Sequence, residues 1–334
     1  MTRPGRRAFT GPDRRSKPAV QPRRRKPLPL SPSPAGLRSI ADRPYLLLSL
    51  TSLFWAINIV LGRFIAGTVP PAALAQVRWG GAGIILIAFS WRQLRDDWPV
   101  IRKNLGILLV LSLTGITFYN TMAYHGLEYT QALNSLLMSS SGPLLVALWS
   151  LILFRDRLTP AQLAGILVSL GGVLVIITRG HLETLLGLSL NRGDVWLLAA
   201  MSIYALYTVL LRKRPAMQPL SFLTFTVVAG ALMHLPIFFA EYAAGYRIDP
   251  TPAAFAVLAY VVIFPSILAY LCFNRGVQLI GANRAGQFFH LIPVFGSAIA
   301  IVFLGERPEW FHGVGYLLII AGIVIAQRGA RKAA

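Results

Sequence analysis

Apolar residues run almost without interruption along most of the chain and are broken only by short polar gaps. A helix rising 1.5 Å per residue needs about 20 apolar residues to cross the hydrocarbon core of a bilayer. Ten runs of about that length occur, at 45–65, 71–90, 105–125, 132–153, 160–178, 194–212, 219–240, 253–273, 284–304 and 310–327. They are continuous, not alternating, which excludes β-barrel strands. Their number excludes a water-soluble core. The pattern predicts an all-α membrane protein of ten transmembrane helices.

Composition agrees: 55% of the residues are hydrophobic and 13% charged, against roughly a quarter charged in soluble domains. The net charge of +20 suggests nucleic acid until the basic residues are located. Twelve of the 32 lie in the first 43 positions, and most of the others sit in the gaps between apolar runs. Residues 1–42, with Arg23-Arg24-Arg25-Lys26 and the proline-rich stretch from Pro27 to Pro32, have nothing to bury and are expected to be a disordered cytoplasmic tail. Arg6-Arg7-Ala8-Phe9 is no twin-arginine export signal, because no apolar core follows it closely. The tail either adsorbs on anionic lipid or simply reinforces topology. With the N-terminus inside, 26 basic residues fall on the inner side and four outside, so both termini are expected to be cytoplasmic and the protein to sit in a bacterial inner membrane. Cys272 is the single cysteine, so no disulfide forms within the chain.

The chain also repeats itself. A shift of 150 places Ala132 on Ala282, Pro143 on Pro293, Asp156 on Glu306 and Arg157 on Arg307, with Gly126, Gly165 and Gly172 on Gly276, Gly315 and Gly322. A shift of 149 places Arg63 on Arg212 and Trp55 on Tyr204. The repeats are read as 43–178 and 193–328, five helices each. An odd number of helices per repeat inverts the second repeat in the membrane. That is the architecture of many secondary transporters, in which rocking of the halves alternates access to a central site.

Several segments resemble the drug/metabolite transporter superfamily, and within it the ten-helix EamA family. They are Leu53-Phe54-Trp55-Ala56-Ile57-Asn58, Arg78, Pro143, Phe154-Arg155-Asp156-Arg157-Leu158, Gly193-Asp194, Tyr204-Ala205-Leu206-Tyr207, Ser266-Ile267-Leu268-Ala269-Tyr270, Asn274-Arg275-Gly276, Leu291-Ile292-Pro293-Val294 and Phe303-Leu304-Gly305-Glu306-Arg307. Asp156 stands where the family usually has Glu and keeps the charge. The resemblance implies export of amino acids or related small metabolites through a cavity between the halves. It leaves open uptake or exchange of a different metabolite or drug-like compound.

Candidate chemistry narrows the classes further. The twelve carboxylates fall in the tail, in gaps or at expected helix ends, and no nucleotide motif occurs. No His/Asp cluster, reactive thiol pair or metal spacing suggests an enzyme, so neither cofactor nor metal is expected. The expected partners are a small-molecule substrate and membrane lipid, not nucleic acid. Polar stripes at helical spacing occur at Ser266, Tyr270 and Asn274; at Asn134, Met138 and Ser141; at Asn283, Gln287 and His290; at Trp55 and Asn58; and at Tyr204 and Tyr207. With Tyr119, these faces either line a wet cavity that binds substrate or hydrogen-bond between packed helices. Arg78 either meets a substrate carboxylate, or snorkels or ties loop carbonyls together. His290 is a substrate ligand, a proton site or a neutral bonded histidine. Pro143 and Pro293 each remove a backbone donor and are read as paired hinges or tolerated kinks. Gly171 and Gly172 are expected to permit close helix contact.

Overall fold

The computed structural model describes residues 40–130, 138–181, 183, 191–304 and 309–331. Residues 1–39 of the basic tail, Asn134, Glu306 and Arg307 lie outside the described residues. Those described are helical, with no strand among them. The membrane helices are α1 (Pro44–Phe64), α2 (Pro71–Asp96), α3 (Leu105–Tyr129), α4 (Met138–Phe154), α5 (Pro160–Ile177), α6 (Arg192–Leu210), α7 (Pro219–Ala243), α8 (Pro252–Ile280), α9 (Leu291–Leu304) and α10 (Trp310–Arg331).

Eight of these are long and apolar enough to cross a membrane, where ten full-length spans were expected. The two exceptions, α4 and α9, are the helices that carry the paired prolines. A turn at Ser141 breaks α4, and Pro143 then occupies the first turn of Gly142–Phe154, where a missing N–H costs nothing. Before α9, the chain runs through Ala282–Gly286 and a 3-10 turn at Gln287–His290. Polar caps stop other helices cleanly. Thr159 with Gln162, and Asn191 with Asp194, form reciprocal capping boxes at the starts of α5 and α6.

The two halves interlock as symmetry partners. The α2 helix packs on α7 and α5 on α10, while α3 packs on α6 as α1 packs on α8. Glycines make the closest of these contacts. A Cβ on Gly165 would lie 2.5 Å from the carbonyl oxygen of Gly322, and one on Gly172 would lie 2.7 Å from that of Gly315. As the number rises along α5 it falls along α10, so these repeat-related helices run antiparallel. Inversion of the second half is thus visible in the packing itself. Gly126 against Leu197 and Gly276 against Leu48 form a second matched pair. Gly171, by contrast, faces open space and makes no such contact. Large apolar side chains point outward, among them Phe89, Ile84 and Leu317 at 80%, 72% and 71% exposure. Lipid is the solvent that suits that surface.

Candidate functional site

Two helices depart from α geometry at matched places. The backbone is π-helical over Leu113–Phe118 in α3 and over Phe264–Leu268 in α8. The shift of 150 carries one segment onto the other. A π-turn leaves carbonyls without their usual donor, and such turns concentrate at functional sites. Here the freed carbonyls face inward. The Tyr270 hydroxyl donates to the Gly115 carbonyl at 2.6 Å. The Pro265 carbonyl, the repeat equivalent of Gly115, accepts from Arg78 at 3.1 Å and from the Trp55 indole at 3.4 Å.

Arg78 sits at the hub of this arrangement and is 2% exposed. Its Nε donates to Ser266 Oγ at 2.6 Å, and Nη1 donates to Asn120 Oδ1 at 2.9 Å and to the Tyr124 hydroxyl at 2.8 Å. The guanidinium also lies 4.5 Å from the Trp79 ring centroid. Every one of these partners is neutral. Among the described residues no carboxylate forms an ion pair with Arg78.

Aromatic rings fill the centre beside it. Trp55 meets Tyr204 at 5.3 Å, Tyr270 at 6.0 Å and Phe273 at 5.2 Å between centroids, and Tyr119 meets Tyr204 at 4.5 Å. Two small voids remain. One of about 20 Å³ is lined by Trp55, Asn58, Arg78, Tyr119, Ser139, Met201, Tyr204 and Phe289 among others. The other, about 30 Å³, is lined by Asn58, Tyr119, Asn120, Tyr124, Ser139 and Met201 among others. The Tyr204 hydroxyl is buried beside Tyr270, amid the rings of Trp55 and Tyr119. A vestibule of about 650 Å³ opens among the ends of α4, α6 and α8, the start of α5 and the connections that follow α4, α6 and α8, lined by Asp156, Arg212, Arg214, Asn274, Asn283 and Arg284 among others. Burial holds the Arg214 guanidinium below its usual pKa, and its Nη2 donates to the Met217 carbonyl at 3.1 Å.

The structure brings Trp55, Asn58, Arg78, Tyr119, Tyr204, Tyr207, Ser266 and Tyr270 into one centre. Other expected residues lie elsewhere. His290 is fully buried between α4 and α5, its ring nitrogens on Ser169 Oγ and on the Ser140 carbonyl. Ser140 and His290 are related by the shift of 150, so this bond joins repeat equivalents across the pseudo-twofold axis. Gln287 bonds back to the Asn283 carbonyl at 3.4 Å, and its own oxygen is buried without a partner. Ser141 caps the Met138 carbonyl at 2.6 Å, and Met138 packs with an apolar cluster around Ile65 and Val69. Pro143 and Pro293 stand beside the breaks in α4 and α9. Tyr124, Asn120, Ser139 and Met201 were missed by inspection of the sequence. The repeat offered a signal for two of them, since the shift of 150 carries Asn120 onto Tyr270 and Tyr124 onto Asn274. Among the described residues no three His, Cys, Asp or Glu side chains gather as a metal site would require.

Two antiparallel five-helix halves closed around a buried polar centre define the class of inverted-repeat membrane transporters. A model of the EamA-like transporter family matches residues 43–178 and 191–327, and the chain belongs to that family. It is 31% identical to the uncharacterized transporter YyaM of Bacillus subtilis (strain 168), over 85% of this chain and 93% of that one. It is 25% identical to a protein of Streptantibioticus cattleyicolor named as a probable terminal-alkyne amino-acid exporter, over 68% of this chain and 74% of that one. A solved structure described only as the crystal structure of a protein matches with a TM-score of 0.70 at 22% identity. It covers 89% of this chain and 99% of its own, and it shows the fold alone.

Proposed function

We propose that this transporter exports amino acids or related small metabolites across the bacterial inner membrane by alternating access, binding them at the centre between its halves. One observation carries the reading. A buried guanidinium with no carboxylate partner among the described residues and a buried tyrosine, Tyr204, line the same central void. A charge at membrane depth is costly and belongs to function by default. A substrate carboxylate would supply the missing counter-charge to Arg78, and an ammonium or hydroxyl would meet Tyr204. The aromatic walls would take the apolar part. The void is too small for such a molecule here, so the Trp55–Tyr204–Tyr270 cluster must part for binding. The amino-acid exporter among the relatives supports this substrate class. The basic asymmetry supports a cytoplasmic position for the vestibule, where it would serve as an exporter's entrance. Catalysis has no place in this reading.

The test is counterflow in proteoliposomes, with amino acids competing against their decarboxylated amines. The amino acid should compete and the amine should not. Equal competition by the amine would sink the role given to Arg78. Absence of exchange by every amino acid in the panel would sink the substrate class. Tyr204→Phe should weaken apparent affinity by roughly 5- to 150-fold, the range for losing one buried polar contact worth about 1–3 kcal/mol.

A further inference from the structure

The repeat relation exposes a pair of bonds that no motif marks. In the first half, the Tyr124 hydroxyl donates to Asn58 Oδ1 at 3.1 Å, joining α3 to α1. In the second half, the Tyr207 hydroxyl donates to Asn274 Oδ1 at 2.8 Å, joining α6 to α8. The shift of 149 carries Asn58 onto Tyr207, and the shift of 150 carries Tyr124 onto Asn274. Each half therefore makes the same bond between the same pair of helices, with tyrosine and asparagine exchanged. A packing coincidence has no reason to keep the bond while swapping its ends.

The two bonds lie toward opposite faces. Asn58 and Tyr124 are six and five residues before the ends of α1 and α3. Tyr207 and Asn274 are three and six residues before the ends of α6 and α8, which finish on the other face. Asn58 and Tyr124 bound the void of about 30 Å³, and Asn274 lines the vestibule of about 650 Å³. The bonds thus bracket the central site. Each is a single neutral hydrogen bond, which breaks and re-forms at small net cost. Arg78 is fixed by several bonds at once and is no candidate for that role.

We propose that Asn58–Tyr124 and Tyr207–Asn274 are the outer and inner gates of the translocation path, opened alternately as the inverted halves exchange conformation. This rests on the alternating-access reading above. Both gates are closed in this structure. They are not equivalent: Tyr124 also accepts from Arg78 at 2.8 Å, whereas α7 contains no Lys or Arg. A substrate drawing on Arg78 would therefore act on the outer gate directly and on the inner gate only through the movement of the halves.

The test replaces Cys272 by Ser and Ser139 by Cys, since Ser139 lines both voids. A membrane-impermeant thiol reagent is then applied to vesicles of each orientation. Tyr207→Phe should raise labelling from the inner face, and Tyr124→Phe from the outer face, each by about five-fold for one lost hydrogen bond. Asn58→Ala opens the outer gate while leaving the Arg78–Tyr124 bond intact, and serves if Tyr124→Phe does not fold. The double change Asn58→Tyr with Tyr124→Asn, which copies the second half, should return labelling toward the parent rate. Acceleration from one face only in all variants, acceleration in none, or no rescue by the exchange overturns the gates. Labelling needs no substrate. The expected pattern without amino-acid exchange would leave the gates standing and sink the substrate reading alone.

Discussion

A guanidinium at membrane depth is destabilising unless its donors are met, and Arg78 meets them with side chains from α3 and α8. Removing it would strand Asn120, Tyr124 and Ser266 in a buried site. Arg78→Ala is therefore expected to cost about 1–3 kcal/mol, with Arg78→Lys intermediate because an ammonium lacks the fork that reaches several acceptors. Thermal melting of the detergent-purified variants measures this, and an unchanged melting temperature for the alanine variant would refute it. The opposite case is Asp156, whose bond to Arg212 lies with 44% and 60% of the two side chains exposed. Asp156→Asn should change stability by less than about 1 kcal/mol and leave counterflow intact. Abolished exchange in well-inserted protein would show that the carboxylate takes part in transport. The sequence reveals that Arg78 is unusual. It does not reveal its partners, which lie 42 to 188 residues away and share no local pattern with it.

At the scale of helices, the closest α5–α10 approaches are made at glycines. Gly165→Leu would drive a side chain into the Gly322 carbonyl and Ala326, and an overpacked contact of this kind costs roughly 1–3 kcal/mol. Gly171→Leu faces open space and should be tolerated. Comparing the two by melting temperature separates contact from composition, since the glycines are six residues apart on one helix. If both variants melt together, the glycine pairs do not hold these helices. The matched spacing of Gly165 and Gly172 with Gly315 and Gly322 was legible beforehand, but which neighbouring glycine faced the partner was not. The π-turns were not legible at all. Leu113–Phe118 and Phe264–Leu268 have the composition of the helix around them, and the extra residue per turn is stabilised by distant groups such as Tyr270 and Arg78.

For the whole molecule, the distribution of basic residues makes a topological prediction. A phosphatase reporter fused after Arg331 should be inactive, because phosphatase folds only outside the cytoplasm; one fused within residues 246–250 should be active. The reverse pattern would invert the assignment of faces, and with it the names inner and outer given to the gates. The interlocking of halves makes a second expectation. Because α1 packs on α8 and α3 on α6, neither half buries its apolar faces alone, so residues 43–178 expressed by themselves should aggregate in detergent. A monodisperse half, seen by size-exclusion chromatography, would count against that view.

Hydropathy determines where this chain meets lipid, since a backbone in hydrocarbon must satisfy its own polar groups and an apolar run of sufficient length has only the helix available. The internal shift determines that the halves are related, and five helices per half determine that they are inverted. Those properties are additive along the chain and can be read from it directly. Tertiary structure decides the rest, because hydrogen bonds at membrane depth depend on which groups meet. It fills the expected cavity with the rings of Trp55, Tyr204 and Tyr270. It sends His290 to Ser169 and Ser140, away from the central voids, and breaks α4 at Ser141. It also gives Asn58 and Asn274 the same kind of partner on opposite faces. Each outcome turns on a contact between residues far apart in the chain, and spacing within one helix carries no information about that contact.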